Sequence, residues 1–255
     1  MTETDHPNAP VLLIERKGAV DWLTLNRPRK HNALDPTLID ALCDYFAAVA
    51  DDDDVRVIVL RGSGPSFCAG LDLRAQLTGA DTRRIIDLMP LIRACPQPVV
   101  SLVHGAAKGG GFVMALACDV RVAGESARMD DTFIDIGLSG CDVGISWFLP
   151  RMVGLSVASE LMLTGRTVDA HRAERLGLVS EVVTDSDLDA AGQRVADGLL
   201  SKSPLGLRRT KEMLNRALAL DDLAEVIRME LDIQVEVMRS DPAFNARLDS
   251  YGDKK

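Results

Sequence analysis

At 255 residues with 47 % hydrophobic content, the chain is long enough to bury the core of one large domain. Its formal net charge of −9 argues against a nucleic-acid or membrane surface, because neutralising phosphates requires clustered lysine and arginine. No apolar run approaches the roughly 18 residues of a membrane-spanning helix, and the amino-terminal MTETDHPNAP is polar and acidic rather than signal-like, which points to the cytoplasm.

Apolar patterning predicts strands over 11–16 and 20–25. A compact basic turn follows, containing Arg27, Arg29, Lys30 and His31, which by itself is either a solvated loop or a segment that meets an anion. Asp35 before Pro36 predicts an N-cap and first turn for a helix over 36–50. The acidic run Asp51–Asp54 reads as solvated surface ahead of a strand at 55–61. Then come a helix at 81–94, a strand at 98–103, a helix at 110–117 and a strand at 119–124. A loop extends to about 143, followed by helices at 144–153 and 155–163 and a strand at 178–183. From Ser186 the chain reads as amphipathic helix only, so it divides into a core at 1–185 and a helical region at 186–255. The cysteines, Cys43, Cys68, Cys95, Cys118 and Cys141, are odd in number and scattered, which reads as reduced side chains rather than disulfides. No CxxC pair suggests a metal.

Two glycine-containing turns carry the chemistry: PSFCAGLDL at 65–73, after the apolar run Val55–Leu60, and HGAAKGGGFVMALACDV at 104–120, after Pro98–Val103. Glycine lets a backbone approach a ligand closely, and the first turn of a helix offers free N–H groups at the positive end of its dipole. Two such turns facing each other would aim two donors at one oxygen, the geometry of an oxyanion hole.

These turns, together with LNRPRKHNAL at 25–34, the segment 127–154 and SELMLTGRTVDAHRAERLGLVSEVV at 159–183, resemble the crotonase (enoyl-CoA hydratase/isomerase) superfamily over roughly 10–240. The resemblance implies an α/β fold, a crotonase-like spiral of ββα units with a C-terminal α-helical subdomain. It also implies an acyl-CoA thioester partner, no cofactor other than the coenzyme A of the substrate, and a homotrimer or a dimer of trimers. Mapped by motif, the oxyanion donors are the backbone N–H groups of Leu71 and Gly110, with Gly109 and Gly111 allowing close approach. The coenzyme A would meet Arg27, Arg29, Lys30 and His31, with Ala69 and Asp72 beside it, although Asp72 also reads as a stabiliser of its own turn.

The two glutamates of a typical hydratase fall at positions occupied here by Val113 and Phe133, neither of which transfers a proton. The family's alternative acid, an aspartate in the loop after an IGL-like turn, maps approximately onto Asp142, because this loop is one residue longer. Beside Val113, Phe133 and Trp147 its carboxylate would be partly desolvated; the competing reading is an N-cap for the helix near Gly144. Asp130, Asp131, Asp135, His104, Lys108 and Glu160 are further polar residues near the motifs. Three functions remain open: an acyl-CoA hydratase/isomerase, with isomerisation simpler for one carboxylate; an acyl-CoA-binding protein without catalysis; and another reaction on a CoA thioester, such as hydrolysis or ring chemistry.

Overall fold

The computed structural model describes residues 9–74, 83–242, 244–246 and 248. In chain order the elements begin with β1 (Leu12–Lys17), β2 (Val20–Leu25), α1 (Pro36–Val49), β3 (Val57–Gly62), α2 (Ile85–Ala94) and β4 (Val99–Val103). They continue with β5 (Ala106–Lys108), α3 (Gly110–Ala117), β6 (Val120–Gly124), β7 (Arg128–Asp130), α4 (Thr132–Asp135), α5 (Ile145–Val153) and α6 (Leu155–Thr164). The last are β8 (Val168–Asp169), α7 (Ala170–Arg175), β9 (Glu181–Val183), α8 (Leu188–Leu200), α9 (Pro204–Ala217) and α10 (Leu223–Ser240).

Among the described residues six strands form one sheet in the order β1-β2-β3-β4-β6-β9. The β1–β2 pair is antiparallel and the other pairs are parallel. A parallel sheet is covered on both faces, so its central strands read as unbroken apolar runs, and Val57, Ile58, Val59 and Leu60 are all fully buried. Strand alternation sends these side chains to two cores. Leu23, Leu25, Ile58 and Leu60 join α1, α2 and α3 on one face. Val20, Trp22, Val57, Val59, Val100 and Leu102 meet Leu188, Ala191 and Ala196 of α8 on the other. Gly192 lets α8 sit close to the sheet, since a Cβ there would lie 2.7 Å from Leu102 Cδ1. The first helix past residue 185 is therefore part of the core packing.

Local signals explain most boundaries. Asp35 caps α1 by accepting the Leu38 N–H at 3.0 Å, and Ser203 and Asp222 cap α9 and α10 in the same way. Three features depart from the sequence expectation. The segment read as loop to about 143 contains β7 and α4, α7 had no counterpart, and the strand expected at 178–183 pairs only at Glu181–Val183. The strands β5, β7 and β8 make a second small sheet, and their two or three residues are too few to display a period of two. Of the helix expected at 81–94, residues 81 and 82 lie outside the described residues and the ordered turns begin at Ile85. Four cysteines are buried and Cys141 is exposed, all of them free thiols. Among the described residues no helix is long and apolar enough to cross a membrane.

The helix α9 is tied to the core through a buried lysine, beside the contacts of Asn215 with Arg93 and of Arg208 with Asp53. Lys211 is buried on α9, reaching Asp119 Oδ2 at 2.7 Å, the Gln97 carbonyl at 2.9 Å and the Ile92 carbonyl at 3.3 Å. Breaking a buried pair by removing one partner leaves the other charge uncompensated. Lys211→Met is expected to lower stability by about 2–4 kcal/mol, read as a lower urea midpoint with an unchanged slope; an unchanged midpoint would show that the tie is dispensable.

Candidate active site

The two glycine turns follow β3 and β4, neighbouring parallel strands, so both emerge at the same end of the sheet. They then run alongside each other. Phe67 N–H donates to the His104 carbonyl at 2.8 Å, Cys68 N–H to Ala106 at 3.0 Å, and Lys108 N–H returns to Cys68 at 3.0 Å. The extended segment just before α1 joins them, with Leu34 N–H donating to Gly70 at 2.7 Å and Asp72 N–H to Leu34 at 2.9 Å. Ala69 N–H donates to His31 at 2.9 Å and Gly109 N–H to Asp130 at 3.0 Å. Within these turn bonds of the described residues, the Leu71 and Gly110 amides donate to no carbonyl. Gly110 opens α3, where an N–H has no preceding turn to bond.

Those two amides are neighbours. A Cβ on Gly110 would lie 4.0 Å from Leu71 N, and one on Gly70 would lie 3.5 Å from Gly110 N and 2.7 Å from Lys108 O. Gly111 is held even more tightly, since a Cβ there would fall 2.3 Å from the Cys68 carbonyl oxygen. Gly70 and Gly109 have positive φ, at 88° and 46°, which only glycine adopts without strain. Apolar groups surround the pair: a Gly110 Cβ would be 3.4 Å from Leu34 Cδ1, and the Phe133 ring stands 3.4 Å from a Gly109 Cβ. Burial pushes the Cys68 thiol up to about 12, which removes it as a nucleophile.

The basic turn lies against the first glycine turn, but its cations have separate roles. Arg27 faces inward, pairing with Asp35 at 2.9 Å and Asp72 at 3.3 Å and donating to the Ala33 carbonyl. Arg27 and Asp72, both expected to meet coenzyme A, therefore brace the turn, because a half-buried guanidinium finds its carboxylates within the protein. His31 Nδ1 lies 2.9 Å from Ser66 Oγ, Ala69 is half-buried beside it, and Arg29 and Lys30 are exposed on a short 3-10 turn. Sequence reading missed Asn32. Buried in the left-handed region at φ 56°, it accepts the Arg27 N–H and donates to the carbonyls of Ser63 and Ser66. Asparagine tolerates that conformation, which is the signal its place in RKHNAL carried.

Residues 15–254 match the family model described as enoyl-CoA hydratase/isomerase. This chain belongs to that family. It is 36 % identical over 217 residues to "Probable enoyl-CoA hydratase EchA12" of Mycobacterium tuberculosis, covering 80 % of this chain and 76 % of the relative. Its fold superposes on an enoyl-CoA hydratase of Mycobacterium smegmatis with a TM-score of 0.90 at 31 % identity, covering 97 % of this chain and 98 % of the other. An enoyl-CoA hydratase from Bacillus anthracis gives a TM-score of 0.90 at 29 % identity, covering 96 % of this chain and 97 % of that one. The fold is the crotonase-type α/β fold expected from the motifs, with a mostly parallel sheet and a C-terminal helical region.

The two positions at which the resemblance implied glutamates carry no acid. Val113 and Phe133 are both buried and apolar. Asp142 is exposed rather than desolvated beside them, and its Oδ1 accepts the neighbouring Val143 N–H at 2.8 Å. It does not cap α5, whose N-cap is Gly144 at φ 98° with no side-chain bond. Asp130 is committed to Lys108 at 2.9 Å and to the hydroxyls of Thr167 and Thr132, so Lys108 braces the glycine turn as well. His104 Nε2 lies 2.9 Å from the Gly64 carbonyl oxygen, Glu160 pairs with Arg166 and Arg172, and Asp135 is exposed. Among the described residues no group of three or more His, Cys, Asp or Glu is placed to hold a metal.

Asp131 differs from all of these. It is buried, Oδ1 accepts the Phe133 N–H at 3.3 Å, and Oδ2 has no hydrogen-bond partner. Burial pushes its carboxyl up to about 6, opposed by the Phe133 N–H and reinforced by Asp130, Asp135 and Asp142. A native carboxyl that binds its proton more tightly than the unfolded one contributes stability at low pH and loses it as the pH rises through about 6. Relative to Asp131→Asn, the parent is expected to lose on the order of 2 kcal/mol between pH 4 and 6. Urea unfolding across that range checks it, and parallel pH profiles for parent and variant would refute it.

Proposed function

We propose that this chain is an acyl-CoA enzyme in which the Leu71 and Gly110 N–H groups receive the thioester oxygen and Asp142 moves the proton. The observation that carries the reading is the side-by-side placement of two amides that donate to no carbonyl within the turn bonds of the described residues. A carbonyl accepting both donors becomes a better electron sink, and a single oxyanion donor is worth about 3 kcal/mol in the transition state. Asp142 would take a proton from the carbon chain as the electrons move onto the thioester oxygen, then return it to another carbon as the enolate collapses. That cycle needs one carboxylate. Hydration needs groups both to position water and to protonate, and Val113 and Phe133 supply neither, so isomerisation of an enoyl-CoA is the favoured reaction.

In this reading the exposed Arg29 and Lys30, with His31 and Ala69 beside them, meet the nucleotide end of coenzyme A. Copies of the chain would assemble as a trimer or a dimer of trimers, an arrangement supported by exposed Leu214 on α9, Leu218 just after it, and Leu223, Ile227 and Leu231 on α10. A second reading, an acyl-CoA-binding protein without turnover, draws support from the apolar residues at both glutamate positions and the exposure of Asp142.

Gly110→Pro tests the oxyanion pair. Proline is tolerated in the first turn of a helix, so the substitution removes the donor with little effect on α3. Turnover on enoyl-CoA substrates is expected to fall by about 10²–10³, with the melting temperature nearly unchanged; parent-like turnover would exclude Gly110 as a donor.

Asp142→Asn tests the acid. It is expected to cut kcat by about 10²–10⁴ while acyl-CoA affinity stays nearly constant, the signature of a group needed in the transition state. Unchanged kcat would move the proton transfer elsewhere. A parent that binds acyl-CoA and turns over none of a substrate panel would establish the binding-protein reading instead.

A further inference from the structure

The Asp131 carboxyl lies between the oxyanion turn and the loop that carries Asp142. Its own peptide adjoins the glycine triplet, because the Asp130 carbonyl accepts the Gly109 N–H at 3.0 Å. Its Oδ1 holds the first turn of α4, and Phe133 on that turn stands over Gly109. On the other side the unpartnered Oδ2 faces Gly140, where a Cβ would lie 3.1 Å from Asp131 Oδ2 and 2.5 Å from the Met162 carbonyl oxygen. The loop is thus pinned between the Asp131 carboxyl and α6 at Gly140, two positions before Asp142. A buried acceptor without a donor costs free energy and is rare in native proteins.

The charges around Asp131 leave it without a cation. Asp130 is occupied by Lys108, Asp135 is exposed beside Gly165, and Asp142 is exposed on the loop. On α6, Glu160 is paired with Arg166 and Arg172. No ion pair to Asp131 is formed among the described residues. Each of the nearby carboxylates Asp130, Asp135 and Asp142 opposes ionisation of Asp131.

We propose that Asp131 is a positioning residue for proton transfer: it seats the loop through Gly140, and its charge, as it forms, acts on Asp142. This rests on the assignment of Asp142 made above. Asp142 is itself among the neighbours whose charge opposes ionisation of Asp131. A filler of the space under Gly140 would need no ionisable group, whereas a charge partner would.

The test has two readouts. In protein with ¹³C-labelled aspartate, the Asp131 carboxyl resonance is followed from pH 4 to 8; its midpoint is expected at about 6 in the parent and lower in Asp142→Asn. In kinetics, the isosteric Asp131→Asn is expected to keep KM within about threefold, to lower kcat at pH 7 by about tenfold, and to abolish the inflection near pH 6 in kcat. Asp131→Leu, which fills the space without the polar atoms, should not restore that inflection. An Asp131 midpoint indifferent to Asp142→Asn, or an Asp131→Asn profile superimposable on the parent's, overturns the proposal. If the asparagine variant fails to fold, the midpoint comparison in the folded parent and Asp142→Asn decides alone. If Asp142→Asn turns over normally while the midpoint still moves, the catalytic assignment of Asp142 has failed and the coupling between the carboxylates is upheld.

Discussion

The closeness of two peptide segments governs this molecule. The Cys68 carbonyl lies where a side chain on Gly111 would be, and the Lys108 carbonyl lies where one on Gly70 would be. Any residue larger than glycine at either place forces the PSFCAGLDL and AAKGGGF turns apart. Because β3 and β4 are adjacent and parallel, both turns leave the same edge of the sheet, the end at which open α/β folds gather their ligands. The close approach brings the Leu71 and Gly110 amides side by side, with Leu34 packed against Gly110 and Phe133 against Gly109.

Much of the charge near that space is structural. Arg27, Asp35 and Asp72 form an internal triad, Asp130 and Lys108 fasten β5 to β7, and Asn32 threads the basic turn onto the first glycine turn. These pairs hold the backbone of the two glycine turns in place. The basic turn consequently presents Arg29 and Lys30 at its exposed rim while its inner half serves as scaffold. Lys211 plays a comparable part at a distance, carrying a charge into the core to tether α9 to the carbonyls that end α2 and precede β4.

The chemistry left to such a site depends on what replaces a pair of acids. Val113 on α3 and Phe133 on α4 are both buried and apolar, and Phe133 packs over Gly109. Carboxylates survive one layer out: Asp142 on an exposed loop and Asp131 buried beneath it.

Most of the longer strands and helices, the capped start of α1 at Asp35, the helix opening at Gly110 and the two glycine turns were legible in the chain, because each rests on local patterning within a dozen residues. The apolar substitutions at Val113 and Phe133 were legible too, since a residue's chemical type is independent of its neighbours. The small sheet of β5, β7 and β8 was not, because strands so short have no periodicity and exist only by pairing across distant segments. Nor was the inward turn of Arg27, which follows from Asp72 being brought to it across 45 residues, or the seating of Gly140 between Asp131 and Met162. Desolvation is likewise a tertiary property: the same residue type became an exposed group at Asp142 and a buried proton-binding one at Asp131, a difference set by what packs around each carboxylate.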